Sequence, residues 1–139
     1  SVFALANALG RVSWGVFFDR LNSATAIELN LIFQGLVLFC AYFLLRSDTG
    51  LLVFAALTGF NYGGVLTLYV STIARIWGRH AVGKVYGLLF SANIPAALAP
   101  VLAGFYYDYL GSFIVPLSLA GLLLFVSCMG IRQLRKTGF

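Results

Sequence analysis

Apolar runs of twenty or so residues alternate along the chain with short polar clusters, and neither the runs nor the clusters repeat with the period of two that a strand face needs. Five apolar segments stand out, at residues 2–18, 24–45, 51–76, 85–107 and 112–131, separated by DRLNS, RSDTG, WGRHAVGK and DYLGS. A membrane-crossing helix takes roughly 20 mostly apolar residues at about 1.5 Å rise each. Each run fits one span, and connections this short force neighbouring spans to be antiparallel. A membrane β-barrel needs strands of about ten residues with alternating polarity. Runs such as LIFQGLVLFCAYFLL and LAGLLLFV do not alternate. The pattern therefore predicts an all-α integral membrane protein with five spans.

Composition agrees. Of the 139 residues 61% are hydrophobic and 9% charged, and mean hydropathy is +0.97, whereas soluble domains carry about 25% charged residues. The net charge of +5 resolves into a topology. Arg20 follows the first span, Arg75, Arg79 and Lys84 lie between the third and fourth, and Arg132, Arg135 and Lys136 follow the fifth. These seven of the nine basic residues fall on one side of an alternating topology. The other side has Arg46, with Asp48 and Asp108. Short loops rich in Lys and Arg stay cytoplasmic, so the carboxy terminus and the loops after spans one and three are expected inside, in a plasma (inner) membrane. Basic residues split among three loops make a poor nucleic-acid surface. The chain opens at Ser1 inside an apolar run, and its single methionine is Met129. The expectation is a carboxy-terminal piece of a longer chain, with no signal peptide visible. Cys40 and Cys128 sit deep in apolar segments and are expected as free thiols acting as small hydrophobes.

The spans differ in polarity. The fifth is bland. The second has Glu28, Asn30 and Gln34 near its inner end, Glu28 being the only acid within any of the later spans. Its expected role is interfacial, or as a partner of Arg20. The third carries TGFNYGG, with Gly59 and Gly63 four apart and Ala55 a turn earlier. Small residues at that spacing let helices approach closely, and Asn61 and Tyr62 are polar groups at an expected kink there, able to bond a neighbouring helix or a solute. The fourth carries Pro95 and Pro100 in ANIPAALAP. Proline bends a helix and frees a carbonyl, which membranes tolerate where protein or a wet cavity satisfies it. His80 is expected in a solvated loop.

The first span poses the sharpest question. Asn7, Arg11 and Gly15 recur every four residues and so share one helix face. Arg11 lies eight residues before Asp19, roughly 12 Å into a core about 30 Å thick. A charge there costs about 2.5–3.5 kcal/mol on insertion scales, and snorkelling recovers only part of the distance. Arg11 should face a bundle interior or an aqueous cavity. Its planar guanidinium either grips an anionic solute through two parallel hydrogen bonds or pairs with an acid on a helix outside this chain.

The stretch GRVSWGVFFDR resembles the cytoplasmic loop motif of the major facilitator superfamily, whose core reads G-x-x-x-D-R. Gly15, Asp19 and Arg20 fit it, while Asn22, Ser23 and Ala24 replace the family's next glycine and trailing basic residues. The resemblance implies helices eight to twelve of a twelve-helix transporter, a missing amino-terminal half of the same chain, and a gating role for Gly15, Asp19 and Arg20. NALGRVSWG, GFNYGGVLTLYVSTIARIWG and GKVYGLLFSANIPAALAPVLAGFYYD look most like the monocarboxylate porter and oxalate:formate antiporter branch. There an arginine of the eighth helix holds the substrate carboxylate, and Arg11 matches it. Asn7 stands where monocarboxylate porters often have an aspartate, and Asn93 where oxalate antiporters place a lysine. A single cation suits a single carboxylate, so the expected partner is a small organic anion, a monocarboxylate, bound by Arg11 with Asn7, Asn61, Tyr62 and Asn93. No cofactor is implied. A proton carrier is expected in the missing half, unless the protein is an exchanger of the oxalate/formate type.

Enzyme chemistry lacks its parts: there is no phosphate loop, no metal-spaced His/Cys/Asp cluster and no nucleophile beside a base. A passive channel predicts a continuous polar stripe, whereas the polar residues gather at mid-depth, as in a carrier with a central site. A transporter-like receptor that binds without translocating stays open.

Overall fold

The computed structural model describes residues 1–136, with side chains through residue 133. The Arg135 and Lys136 side chains of the expected basic cluster lie outside that range. The described chain is helical throughout: α1 Val2–Arg20, α2 Ser23–Leu44, α3 Asp48–Trp77, a 3-10 turn Arg79–Ala81, then α4 Val82–Ser91, α5 Asn93–Ala96, α6 Ala99–Leu110 and α7 Ile114–Lys136. Local chemistry sets the boundaries. Asn22 caps α2 by accepting from the Ala24 amide at 3.1 Å. Ser47 caps α3 through the Gly50 amide at 3.1 Å. Both satisfy donors that a helix start leaves open. Gly111, at φ +65°, ends α6 in the left-handed region that a Cβ disfavours.

Four helical segments are long and apolar enough to cross a membrane: Ser23–Leu44, Asp48–Trp77, Arg79–Leu110 and Ile114–Gln133. Helix α1, over the first of the five expected spans, is less apolar, because Asn7, Arg11, Asp19 and Arg20 dilute it. Its 19 residues still reach about 28 Å, close to the core thickness. The fourth span is broken into α4, α5 and α6 around Pro95 and Pro100. The breaks keep right-handed dihedrals, so the rod is interrupted without unravelling. The third span departs from expectation in the opposite sense: α3 runs 30 residues uninterrupted through TGFNYGG. Its glycines serve contact, not curvature.

The core lies where α1, α2 and α3 meet. Trp14, Phe18, Ala26, Ile27 and Leu68 are buried together, with Phe33, Phe60 and Tyr69 packed around them. α1 packs mainly on α3, α2 on both α3 and α7, and α3 on α4. The α1–α3 seam is made by glycines on both sides. A Cβ on Gly10 would lie 1.9 Å from the Phe60 carbonyl oxygen, one on Gly59 2.7 Å from that of Phe3, and one on Gly63 2.2 Å from that of Asn7. All three obstacles are backbone. The small-residue spacing read from the sequence is a helix-packing device here. Outward faces are strongly apolar, for example Phe39, Leu88, Ile94 and Tyr109. That is the surface of a helix bundle meeting hydrocarbon, and the protein is a multi-pass integral membrane protein. Cys40 is exposed and Cys128 buried, both as free thiols.

Candidate functional site

Arg11 lies exposed on the surface beside the α1–α3 seam and lines none of the cavities described below, so the described residues alone do not form the interior or aqueous setting expected for it. Its backbone nitrogen sits 2.9 Å from where a Gly63 Cβ would be, so the helices are nearly in backbone contact at its level. The side chain is exposed, and its Nε donates to Asn7 Oδ1 at 3.1 Å, one turn back along α1. Both Nη groups lack a protein partner among the described residues. The ion pair that the described residues do form joins Glu28 and Arg132 instead. Asn7 therefore orients the guanidinium without neutralising it. An aspartate at position 7 would compete with an incoming carboxylate, and asparagine does not.

Tyr62 immediately precedes Gly63 on α3 and is half-exposed, its ring centroid 6.3 Å from that of Phe3 on α1. Around α3, at about 100° per residue, Asn61, Gly64 and Leu68 turn toward α2, which leaves Tyr62 on the side turned away from it. Tyr62 and Asn93 line one cavity of about 250 Å³ between α3 and α4, together with Tyr69, Tyr86, Leu89 and Phe90. Sequence reasoning missed Tyr86. The signal was present in its spacing: Tyr86, Phe90 and Asn93 fall at i, i+4 and i+7, one face of a helix, and the Tyr86 and Phe90 rings lie 5.6 Å apart.

Asn61 is placed elsewhere. It is 1% exposed and built into the α2–α3 interface. Asn30 Nδ2 donates to Asn61 Oδ1 at 2.7 Å, and Asn61 Nδ2 donates to the Asn30 carbonyl and to Gln34 Oε1, both at 3.1 Å. With its amide fully engaged, Asn61 acts as an interhelical tie and does not line the cavity that Tyr62 and Asn93 share. Replacing Asn61 by alanine should lower thermal stability of the full-length protein by about 1–2 kcal/mol while leaving the affinity for a transported solute within two-fold or so. A melt combined with a binding titration checks this; a large affinity loss with unchanged melting would return Asn61 to the site.

The motif residues sit at the basic end of the bundle. Gly15 lies against Thr67 of α3, where a Cβ would make an ordinary 3.7 Å contact. Asp19 and Arg20 are exposed in the last turn of α1 and engage no side chain among the described residues. Glu28 corrects the sequence expectation: its carboxylate accepts from Arg132 Nε of α7, not from Arg20. The pair ties α2 to α7 near the same end. Arg75 of α3 donates to Ser23 Oγ at 3.3 Å and stacks 4.2 Å over the Phe18 ring. At the opposite end Arg46 lies over the Tyr42 ring and donates to its hydroxyl. His80 is exposed in the 3-10 turn.

The chain is 31% identical over 117 residues to the probable transporter MCH1 of Saccharomyces cerevisiae, a match covering 78% of this chain and 24% of that protein. It is 28% identical over 125 residues to monocarboxylate transporter 9 of Rattus norvegicus, covering 87% of this chain and 24% of the relative. An MFS-type transporter of Aspergillus fumigatus is 30% identical over 89 residues, 64% of this chain and 20% of the relative. The chain thus spans about a quarter or less of the length of these curated relatives. No family model matches it, and no solved structure does. It is similar to a segment of membrane transporters of the MFS type.

Proposed function

We propose that this chain forms part of a secondary transporter of the major facilitator type that carries a small organic anion, a monocarboxylate, by alternating access. Arg11 is the carboxylate clamp. The observation that carries this reading is the Arg11 guanidinium: exposed, steered by the neutral Asn7, and without an acid opposite it among the described residues. Tyr62 and Asn93, which line a cavity of their own between α3 and the fourth span, would supply hydroxyl and amide groups for the neutral remainder of the solute. The clustering of Arg20, Arg75, Arg79, Lys84 and Arg132 at one end supports a cytoplasmic placement of that end and of the carboxy terminus in the plasma membrane. The name of the rat relative, monocarboxylate transporter 9, agrees with the substrate class.

Among the readings open at the sequence, a dianion exchanger would want a second fixed cation facing the first, and Asn93 offers none. Uptake into liposomes by the full-length protein tests the proposal. A lactate-like monoanion should be accumulated, and an oxalate-like dianion should be the poorer substrate by about ten-fold, the worth of one uncompensated charge contact of about 1.4 kcal/mol. Preference for the dianion, or equal leakage of both down any gradient, would overturn it.

A further inference from the structure

At the basic end of the bundle a cavity of about 440 Å³ opens between α2, α3, α4 and α7, on the far side of α3 from its contact with α1. Its wall is apolar, with Ile27, Ile73, Leu89 and Ile131 contributed by the four helices. Its rim is polar and cationic. Arg75 lines it, and the two groups that hold Arg75, the Phe18 ring and Ser23 Oγ, are both neutral, so its charge is left uncompensated. Arg79 and Lys84, both exposed, lie on the turn joining Trp77 and Val85, which also line the cavity. Arg20 is two residues before the rim residue Asn22, and Arg132 follows Ile131. Five cations thus lie on, or within two positions of, lining residues, with two carboxylates, Asp19 and the Arg132 partner Glu28, on the same segments. Thr72 Oγ1, on the same wall, is a buried hydroxyl without a hydrogen-bond partner among the described residues.

We propose that this cavity is a binding site for an anionic phospholipid, whose acyl chain enters between the four helices and whose phosphate meets Arg75. The charge complementarity selects the headgroup, and the apolar wall selects a lipid over a free phosphate, which would find nothing to contact below the rim. Trp77 at the mouth is the residue type that settles at the headgroup level. Basic pockets between membrane helices on the anionic leaflet have the chemistry to hold such headgroups, each nearby cation contributing about 1 kcal/mol, or roughly five-fold in occupancy. The site shares Tyr69 and Leu89 with the neighbouring cavity that Tyr62 and Asn93 line, includes neither Arg11 nor Asn7, and does not depend on which solute is carried.

Native mass spectrometry of the full-length protein in detergent, titrated with dioleoyl phosphatidylglycerol or dioleoyl phosphatidylcholine, tests it. Phosphatidylglycerol should be retained over phosphatidylcholine by about five-fold or more. Arg75→Gln should cut that preference about five-fold, and Leu89→Trp, which fills the cavity, should lower retention of both lipids. A melt of each variant establishes that it is folded, and Lys84→Gln provides a second charge removal on an exposed residue. Equal retention of the two lipids, an unchanged preference in both charge variants, or competition by soluble glycerol phosphate as effective as by the lipid would each overturn the proposal. So would retention of neither lipid, which would mean that another part of the protein fills the cavity.

Discussion

Replacing Arg11 by lysine is expected to reduce monocarboxylate uptake by about 10- to 100-fold with no change in expression or melting. Lysine keeps the charge, so a role confined to attracting anions would survive the substitution. What it loses is the planar fork. A carboxylate held on two parallel N–H donors gains geometry as well as attraction, and an ammonium offers one contact in its place. The lost charge-assisted bond is worth about 1.5–3 kcal/mol, which is the stated range of effect. Asn7 sharpens the expectation. Its amide oxygen accepts from Arg11 Nε at 3.1 Å and points the Nη edge outward, and a lysine has no Nε–H to be steered in this way. Asn7→Asp should act in the same direction by placing a competing carboxylate against the guanidinium. Uptake of labelled lactate-like anions into liposomes, measured as rate against concentration, reads both variants. Parent-like rate and affinity in Arg11→Lys would remove Arg11 from the site.

Gly63→Ala should destabilise the full-length protein by about 1–3 kcal/mol, although alanine is ordinarily the better helix former by about 1 kcal/mol. The added methyl would sit 2.2 Å from the Asn7 carbonyl oxygen and 2.9 Å from the Arg11 nitrogen. Neither can rotate aside, because both belong to the backbone of α1. The helices must separate, and separation pulls Arg11 and Asn7 away from α3, so uptake should fall along with stability. Gly83→Ala and Gly87→Ala are the matched controls. A Cβ at either position meets nothing within 4 Å, so these changes should be neutral or mildly stabilising. Thermal melts in one detergent compare the three. If Gly63→Ala melted with the controls, the close seam would not exist in the working protein.

The hydrophobic pattern made the architecture legible because membrane spans are written in composition: a helix that must face hydrocarbon can contain little else. Five spans, their short connections and the gathering of Arg75, Arg79 and Lys84 at one end could all be read from residue order alone. Pro95 and Pro100 announced the broken fourth span for an equally local reason, the missing amide. Other features depend on which faces meet, and periodicity does not say which. TGFNYGG looked like a place for a kink, yet its glycines accommodate Phe3, Asn7 and Trp14 from α1 on an uninterrupted helix. Asn61 looked as available as Tyr62 next to it, but one step of about 100° around α3 turns one amide into the α2 interface and leaves the phenol outside. Glu28 reached over to Arg132, a residue over a hundred positions away, in preference to the nearby Arg20. Such a choice rests on α2 and α7 being neighbours, which no local pattern records. Arg11 stood out because its cost depends on depth alone, and depth can be counted along one helix.

The glycine seam has a mechanical corollary. Two rods that touch through carbonyls, with no side chains as cushion, cannot slide past each other by a fraction of a turn: each glycine would have to climb over the oxygen lodged against it. Close-packed interfaces of this kind switch between discrete arrangements and do not deform continuously. Any rocking that opens a path to one side and closes it to the other must therefore carry α1 and α3 as a single lever, guanidinium included. The compliance has to come from the segment punctuated by Pro95 and Pro100, the one rod in the bundle already jointed.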